Sequence, residues 1–219
     1  MKNIIFIAPP AAGKGTQAKL VSAEYNIPHI STGDLLREEM AKQTEIGLSI
    51  KHDMDKGNLV SDEVITTLLK NRITKSDCKN GYILDGYPRN IKQAKTYNEL
   101  LDELNYDKGV VIFFDIDKRI ALKRTLSRIV CQNCGSSYNL LIEGLKPLKE
   151  NICDRCNHEL KTRTDDTEEV FINRFDTYLR STKELIEYYK DLGLLYKVLV
   201  EEKSPEIIFE EVKEILNND

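Results

Sequence analysis

The chain has 219 residues, 32 basic and 36 acidic, and its net charge of -4 leaves no global positive field to hold nucleic acid or an anionic membrane. That length suits one domain with insertions or two small domains, with enough chain to bury a sizeable core. The apolar run that ends near Ala8 is too short for a signal-peptide core, and no segment reaches the ~18 apolar residues that span a bilayer, so the expected compartment is the cytoplasm.

In chain order, short apolar runs alternate with longer stretches of helical periodicity, which predicts an α/β fold around a mainly parallel sheet. Strands are expected over residues 3–7, 28–30, 81–85, 109–115 and 195–200. Helices are expected over 15–25, 62–73, 91–104, 118–128, 167–192 and 205–216. The last of these opens Ser204-Pro205-Glu206, a cap followed by proline at the first helical position. Two stretches break the alternation and read as insertions. Residues 31–60 carry two short helical pieces, and 129–166 hold two CxxC pairs and a turn from Gly144 to Pro147, with weak periodicity.

The first strand runs into Ala8-Pro-Pro-Ala-Ala-Gly-Lys-Gly-Thr16, a degenerate form of the G-x-x-x-x-G-K-[ST] phosphate loop. In that loop backbone N–H groups wrap the phosphates, the lysine reaches the β and γ oxygens, and the hydroxyl meets Mg²⁺. Here Ala8 and Ala11 stand where glycines are expected, and Thr16 comes one place late. Taken alone, the match is equally that of a strand-to-helix turn with one exposed lysine; the strand, loop and helix order favours phosphate. Ala8, at the strand end, can keep a negative φ, whereas Ala11 is expected to carry backbone strain and to weaken nucleotide binding.

The third strand ends on Asp85 within Tyr82-Ile-Leu-Asp-Gly-Tyr-Pro-Arg-Asn-Ile-Lys-Gln93. Its carboxylate is expected at the carboxyl edge of the sheet, where α/β proteins place ligands. Gly86 permits a sharp turn, Pro88 stiffens it, and Arg89 is carried over the same crevice. The alternative is a solvated turn, but a carboxylate that can hold Mg²⁺ through water beside a fixed arginine suits phosphoryl transfer.

Cys131-x-x-Cys134 and Cys153-x-x-Cys156 can form two knuckles that give four thiolates to a closed tetrahedral Zn²⁺ site. Gly135 and Asn157 follow the second cysteine of each pair, and both tolerate left-handed backbone. Redox-active dithiols or unpaired buried thiols are the alternatives. His158 is read as a surface residue, though it is a rival ligand. Cys78 reads as an inert thiol, and His29 and His52 receive no role. Asp165 and Asp166 either hydrogen-bond across a closed site or cap the helix after Thr167, and Asp34 reads as a helix cap.

Together these motifs resemble the adenylate kinases, within the nucleoside monophosphate kinases. DGYPRNIKQ at 85–93, GKGTQ at 13–17, ISTGDLLR at 30–37 and RTDDTEE at 163–169 match in one colinear order over essentially the whole chain. The resemblance implies a P-loop three-layer fold with a five-stranded parallel sheet. It implies a core of residues 1–30, 61–122 and 167–219, an AMP-binding insert at 31–60, and a zinc-bearing lid at 123–166. On the ATP side it implies contacts from Ala11, Ala12, Gly13, Lys14, Gly15, Thr16, Arg128, Ser137, Tyr138 and Ser204. For AMP it implies Thr32, Arg37, Asn58, Leu59, Val60, Gly86, Tyr87, Pro88, Arg89 and Gln93. Arg163 and Arg174 would touch both the AMP phosphate and the transferring group; Lys14, Arg89, Arg124, Arg163 and Arg174 would be catalytic.

The chain has ten arginines against 22 lysines, and six of the ten, Arg37, Arg89, Arg124, Arg128, Arg163 and Arg174, fall at these positions. A planar, permanently charged fork matches phosphate oxygens better than an ammonium does. Arg72, Arg119, Arg155 and Arg180 are read as surface charges. The expected reaction is reversible transfer from Mg·ATP to AMP, giving two ADP, by a monomer with structural Zn²⁺ and no nucleic-acid or membrane partner. The rival readings are a pyrimidine monophosphate kinase, a nucleotide-binding module without catalysis, and a zinc-ribbon nucleic-acid binder.

Overall fold

The computed structural model describes residues 2–55, 60–163, 166–201 and 203–218. In chain order the elements are β1 (Lys2–Ile7), α1 (Lys14–Tyr25), β2 (His29–Ser31), α2 (Thr32–Ala41), α3 (Glu45–Asp55), α4 (Asp62–Ile73), β3 (Gly81–Asp85) and α5 (Ile91–Leu104). They continue with β4 (Val110–Asp115), α6 (Lys118–Leu126), β5 (Arg128–Cys131), β6 (Ser137–Asn139), β7 (Leu160–Lys161), α7 (Glu168–Asp191), β8 (Leu195–Leu199) and α8 (Pro205–Asn218). All five expected strands and all six expected helices are present, and the two helical pieces in 31–60 are α2 and α3.

Five strands form one parallel sheet in the order β2-β3-β1-β4-β8. Alternation along β1 explains the layers. Ile4 and Phe6 face a core shared with Val21 of α1, Phe171 of α7, and Val212 and Leu216 of α8. Ile5 and Ile7 face the opposite core, with Leu69 of α4, Tyr97 and Leu101 of α5, and Leu185 of α7. A strand buried on both faces reads as a continuous apolar run, which is why β1, β3 and β4 stand out in the sequence.

The connection after β1 leads towards β2, while the one after β3 crosses to β4 on the other side of β1. The carboxyl ends of β1 and β3 therefore flank a topological switch point, the crevice where such sheets bind ligands.

A second sheet, antiparallel and ordered β6-β5-β7, lies within residues 128–161. β6, β5 and β7 have three, four and two residues, too few to carry a period that the sequence could reveal. Arg128 is also corrected: α6 ends at Leu126, and Arg128 opens β5 instead of closing a helix. Asp34 is not the cap of α2. Ser31 is, accepting the Asp34 N–H, while the Asp34 carboxylate pairs with Arg37. Cys78 is buried, and burial pushes its thiol up to about 11.

Candidate active site

The loop after β1 turns into α1 through two left-handed residues, Ala11 at φ 61° and Gly13 at φ 85°. Gly13 takes that conformation without steric cost and its carbonyl accepts from Thr16 and Gln17, which starts the helix. The amides of a helix's first turn have no carbonyl partner within the helix, so they open towards the loop as an anion-binding end. Ala8 is absent from the positive-φ residues, so only Ala11 meets the expected penalty.

The other described non-glycine residues with positive φ are Gln43 and four asparagines, whose short polar side chains suit that region better than a methyl. Left-handed backbone costs alanine roughly 1–2 kcal/mol. Ala11→Gly is therefore expected to raise stability by about 1 kcal/mol and to tighten ATP binding. A shift of the denaturant midpoint at constant slope, with ATP titration of both proteins, checks it; no gain in either would show the alanine to be unstrained.

Lys14, the first residue of α1, folds back onto Asp85, with Nζ 2.9 Å from Oδ1. His29 Nε2 lies 3.1 Å from the other carboxylate oxygen. Burial pushes the Asp85 carboxyl up, but the hydrogen bond from His29 and the charge of Lys14 together outweigh it and bring it down to about 2. The site thus holds an ionised carboxylate at neutral pH, directly beside the loop.

Beyond Asp85 the chain turns at Gly86, φ 83°. A Cβ there would sit 2.9 Å from the Thr32 hydroxyl and 3.3 Å from an Arg89 guanidinium nitrogen, so this turn needs glycine for space as well as for conformation. The Gly86 carbonyl accepts from Thr32 Oγ1 at 3.1 Å and from Arg89 Nε at 2.7 Å. Tyr87 is buried beneath, its hydroxyl donating to the Gln93 carbonyl. The Gln93 side chain accepts from the Arg89 N–H and donates to Asp62, both at 2.8 Å.

A cleft of about 1340 Å³ joins these parts. Its walls include the whole loop from Ala8 to Thr16, His29, Asp85, Gly86, Pro88 and Arg89. Arg124, Arg128, Arg163 and Arg174 line it too, with Ser137 and Tyr138 from β6. Thr32 and Gln93 adjoin it through Gly86 and Arg89. Arg37 is exposed beside Asp34, Val60 is half-buried ahead of the Ser61 cap of α4, and Ser204 accepts from Ile207 at the start of α8. Asn58, Leu59 and Asp165 lie outside the described residues.

Three residues gain significance that the sequence did not signal. His29 supports Asp85, Asp62 holds Gln93, and Arg155, read as a surface charge, lines the cleft. Asp166, expected either to hydrogen-bond across the site or to cap α7, grips Arg128 with its fully buried carboxylate in a two-pronged ion pair, with Nε 2.8 Å from Oδ2 and a short second contact from Nη2 to Oδ1. Asp166 therefore does not cap α7; Thr167 does so itself, accepting the Val170 N–H.

The four cysteines of the small sheet converge, all sulfurs lying within 4.8 Å of one another. Cys131 and Cys156 are 3.4 Å apart, Cys134 and Cys153 3.5 Å, and all four thiols are free. Two backbone knuckles build the cluster: Gly135 N–H donates to Cys131 O and Asn157 N–H to Cys153 O, with φ of 69° and 58°. Metal–sulfur bonds of ~2.3 Å in a tetrahedron need sulfurs about 3.8 Å apart, so the donor set and spacing fit Zn²⁺. His158 stays out of the cluster, its Nδ1 lying 2.9 Å from Cys156 O.

A family model described as adenylate kinase matches residues 6–194. The adenylate kinase of Archaeoglobus fulgidus is 47% identical over 196 residues, which cover 90% of this chain and 89% of that one. Those of Clostridium tetani and Methanosarcina acetivorans are 42% and 44% identical over 214 residues, 98% of each chain.

Proposed function

This chain belongs to the adenylate kinase family, and on that footing we propose which of its residues carry the γ-phosphoryl group from ATP to AMP. The enzyme is an ATP:AMP phosphotransferase that forms two ADP. The observation that carries the residue assignment is the Lys14–Asp85 pair at the sheet's switch point, in a cleft lined by six arginines.

ATP enters with its phosphates against the loop amides from Ala11 to Thr16, and Lys14 leaves Asp85 for the β and γ oxygens. The adenosine of ATP lies along Ser137, Tyr138 and the loop at Ser204. AMP takes the opposite side, its phosphate held by Arg37 and Arg89 and its base between Thr32, Gln93 and the backbone at 58–60. Arg124, Arg128, Arg163 and Arg174 surround the transferring group. AMP attacks through a phosphate that is already anionic, so no general base is required. Positioning and fixed positive charge do the work.

Thr16 and Asp85 would hold Mg²⁺, Asp85 through water, and the ionised state of that carboxylate suits the task. When bound, the ion neutralises phosphate charge. Residues 31–60 act as the AMP-binding insert and 123–166 as a lid whose closure excludes water from the transfer. Cys131, Cys134, Cys153 and Cys156 would hold Zn²⁺, which would brace the lid and, with four protein ligands, would leave no position open for the transfer. The enzyme works as a monomer in the cytoplasm. ADP formation from Mg·ATP with AMP, CMP, UMP or GMP tests the assignment: strong preference for AMP is expected, and equal use of CMP or UMP would overturn the base contacts.

A further inference from the structure

Gln93 is 6% exposed, and the partners of its side-chain amide differ in kind. Oε1 accepts from the Arg89 backbone N–H, a group that can only donate. Nε2 donates to Asp62 Oδ1, and an ionised carboxylate can only accept. The second Asp62 oxygen lies 3.2 Å from Lys92 Nζ. Those two contacts hold the Asp62 carboxyl below its ordinary range against the opposing effect of burial, so it stays an acceptor. Rotating the amide by half a turn would set oxygen against carboxylate and NH₂ against N–H. One orientation is therefore locked.

Among the described residues each end of the amide has one partner, which leaves one N–H and one lone pair for a ligand. The edge of a 6-aminopurine offers a donor at position 6 and an acceptor at N1; a 6-oxopurine offers the reverse. In a single pose, the first needs oxygen opposite position 6 and nitrogen opposite N1, whereas the second needs the flipped amide. We infer that Asp62 is a positioning residue for acceptor specificity: by fixing the direction of the Gln93 amide, it selects a 6-aminopurine over a 6-oxopurine. This rests on the placement of the acceptor base at Gln93 proposed above. Asp62 itself need not touch the nucleotide.

The test is kcat/KM for AMP and for IMP, with Mg·ATP as donor, in the parent protein, D62N and D62A. An asparagine at 62 can present either oxygen or NH₂, and an alanine presents nothing, so both remove one of the two contacts that lock the amide and leave only the Arg89 N–H to orient it. Loss of a hydrogen bond to a charged group is worth roughly tenfold or more. The AMP:IMP ratio should accordingly fall about tenfold in both variants, through a higher KM for AMP, with the KM for ATP unchanged. Ser61 caps α4 independently of Asp62, and thermal melts on the same preparations report folding. A ratio that stays within about twofold of the parent in either folded variant overturns the inference. A parent that does not discriminate AMP from IMP overturns the placement of the base and the inference with it.

Discussion

Replacing Lys14 with methionine should lower kcat/KM for ADP formation by about 10²–10³-fold, with the loss mostly in kcat. The reason is the position of the ammonium. It sits at the first residue of α1, beside the loop amides, with Nζ 2.9 Å from the Asp85 carboxylate. A charge that reaches the phosphates most closely as they redistribute electrons stabilises the transition state more than the ground state. Methionine keeps the length and the packing while removing that charge. It also removes one of the influences that keep the Asp85 carboxyl near 2, so this carboxyl should titrate at a higher pH in the variant. His29 still supports it, and it remains ionised at neutral pH. Kinetics in both directions, with a melt to establish folding, check the result; a loss under tenfold would remove Lys14 from the chemistry.

Removing the metal should unfold the small sheet while the five-stranded sheet stays intact. The β6-β5-β7 unit has a small buried core cluster of Ile129, Cys131, Cys153 and Leu160, with Cys134, Tyr138 and Cys156 packed against it. A three-stranded patch that small cannot bury enough apolar surface to offset the entropy of ordering its long connections. Half of the residues in that core are themselves metal-ligand candidates. A structural zinc site contributes roughly 10–16 kcal/mol at neutral pH, far more than the rest of the unit. Chelation, or Cys153→Ser, is expected to abolish hydrogen-exchange protection across residues 128–161, with protection in β1, β3 and β4 retained. Transfer activity should fall with it, because Arg128, Ser137, Tyr138 and Arg155 line the cleft from this segment. Metal analysis should give one zinc per chain. Protein without bound metal but with full protection at 128–161 would contradict the assignment.

Sequence and structure agree most closely where one physical signal acts over several residues. β1, β3 and β4 are apolar on both faces, and α5 and α8 carry a clear stripe, so periodicity finds them. The glycine at 86 and the left-handed residues at 135 and 157 were legible because backbone conformation restricts residue type. Three kinds of feature were not legible. Strands of two to four residues carry no period, and Arg128 follows α6 after Ser127 with no residue that signals the change from helix to strand. Partners far apart in sequence leave no mark either. Asp62 looks like an ordinary acidic first turn, yet it meets Gln93. His29 looks like any polar residue at a strand start, yet it meets Asp85 through the β2–β3 register.

The Arg128–Asp166 ion pair joins the residue where the chain leaves α6 to the residue just before it enters α7. Because the two ends of the intervening segment are fastened to each other, its length is decoupled from the body of the protein. Lengthening a flexible closed loop costs only logarithmically, about 0.6 kcal/mol for each doubling. Sequences of quite different length, with or without a metal knuckle, could therefore be exchanged between these two residues while α6, α7 and the parallel sheet kept their places. The same clasp makes this the natural point at which to graft a foreign module.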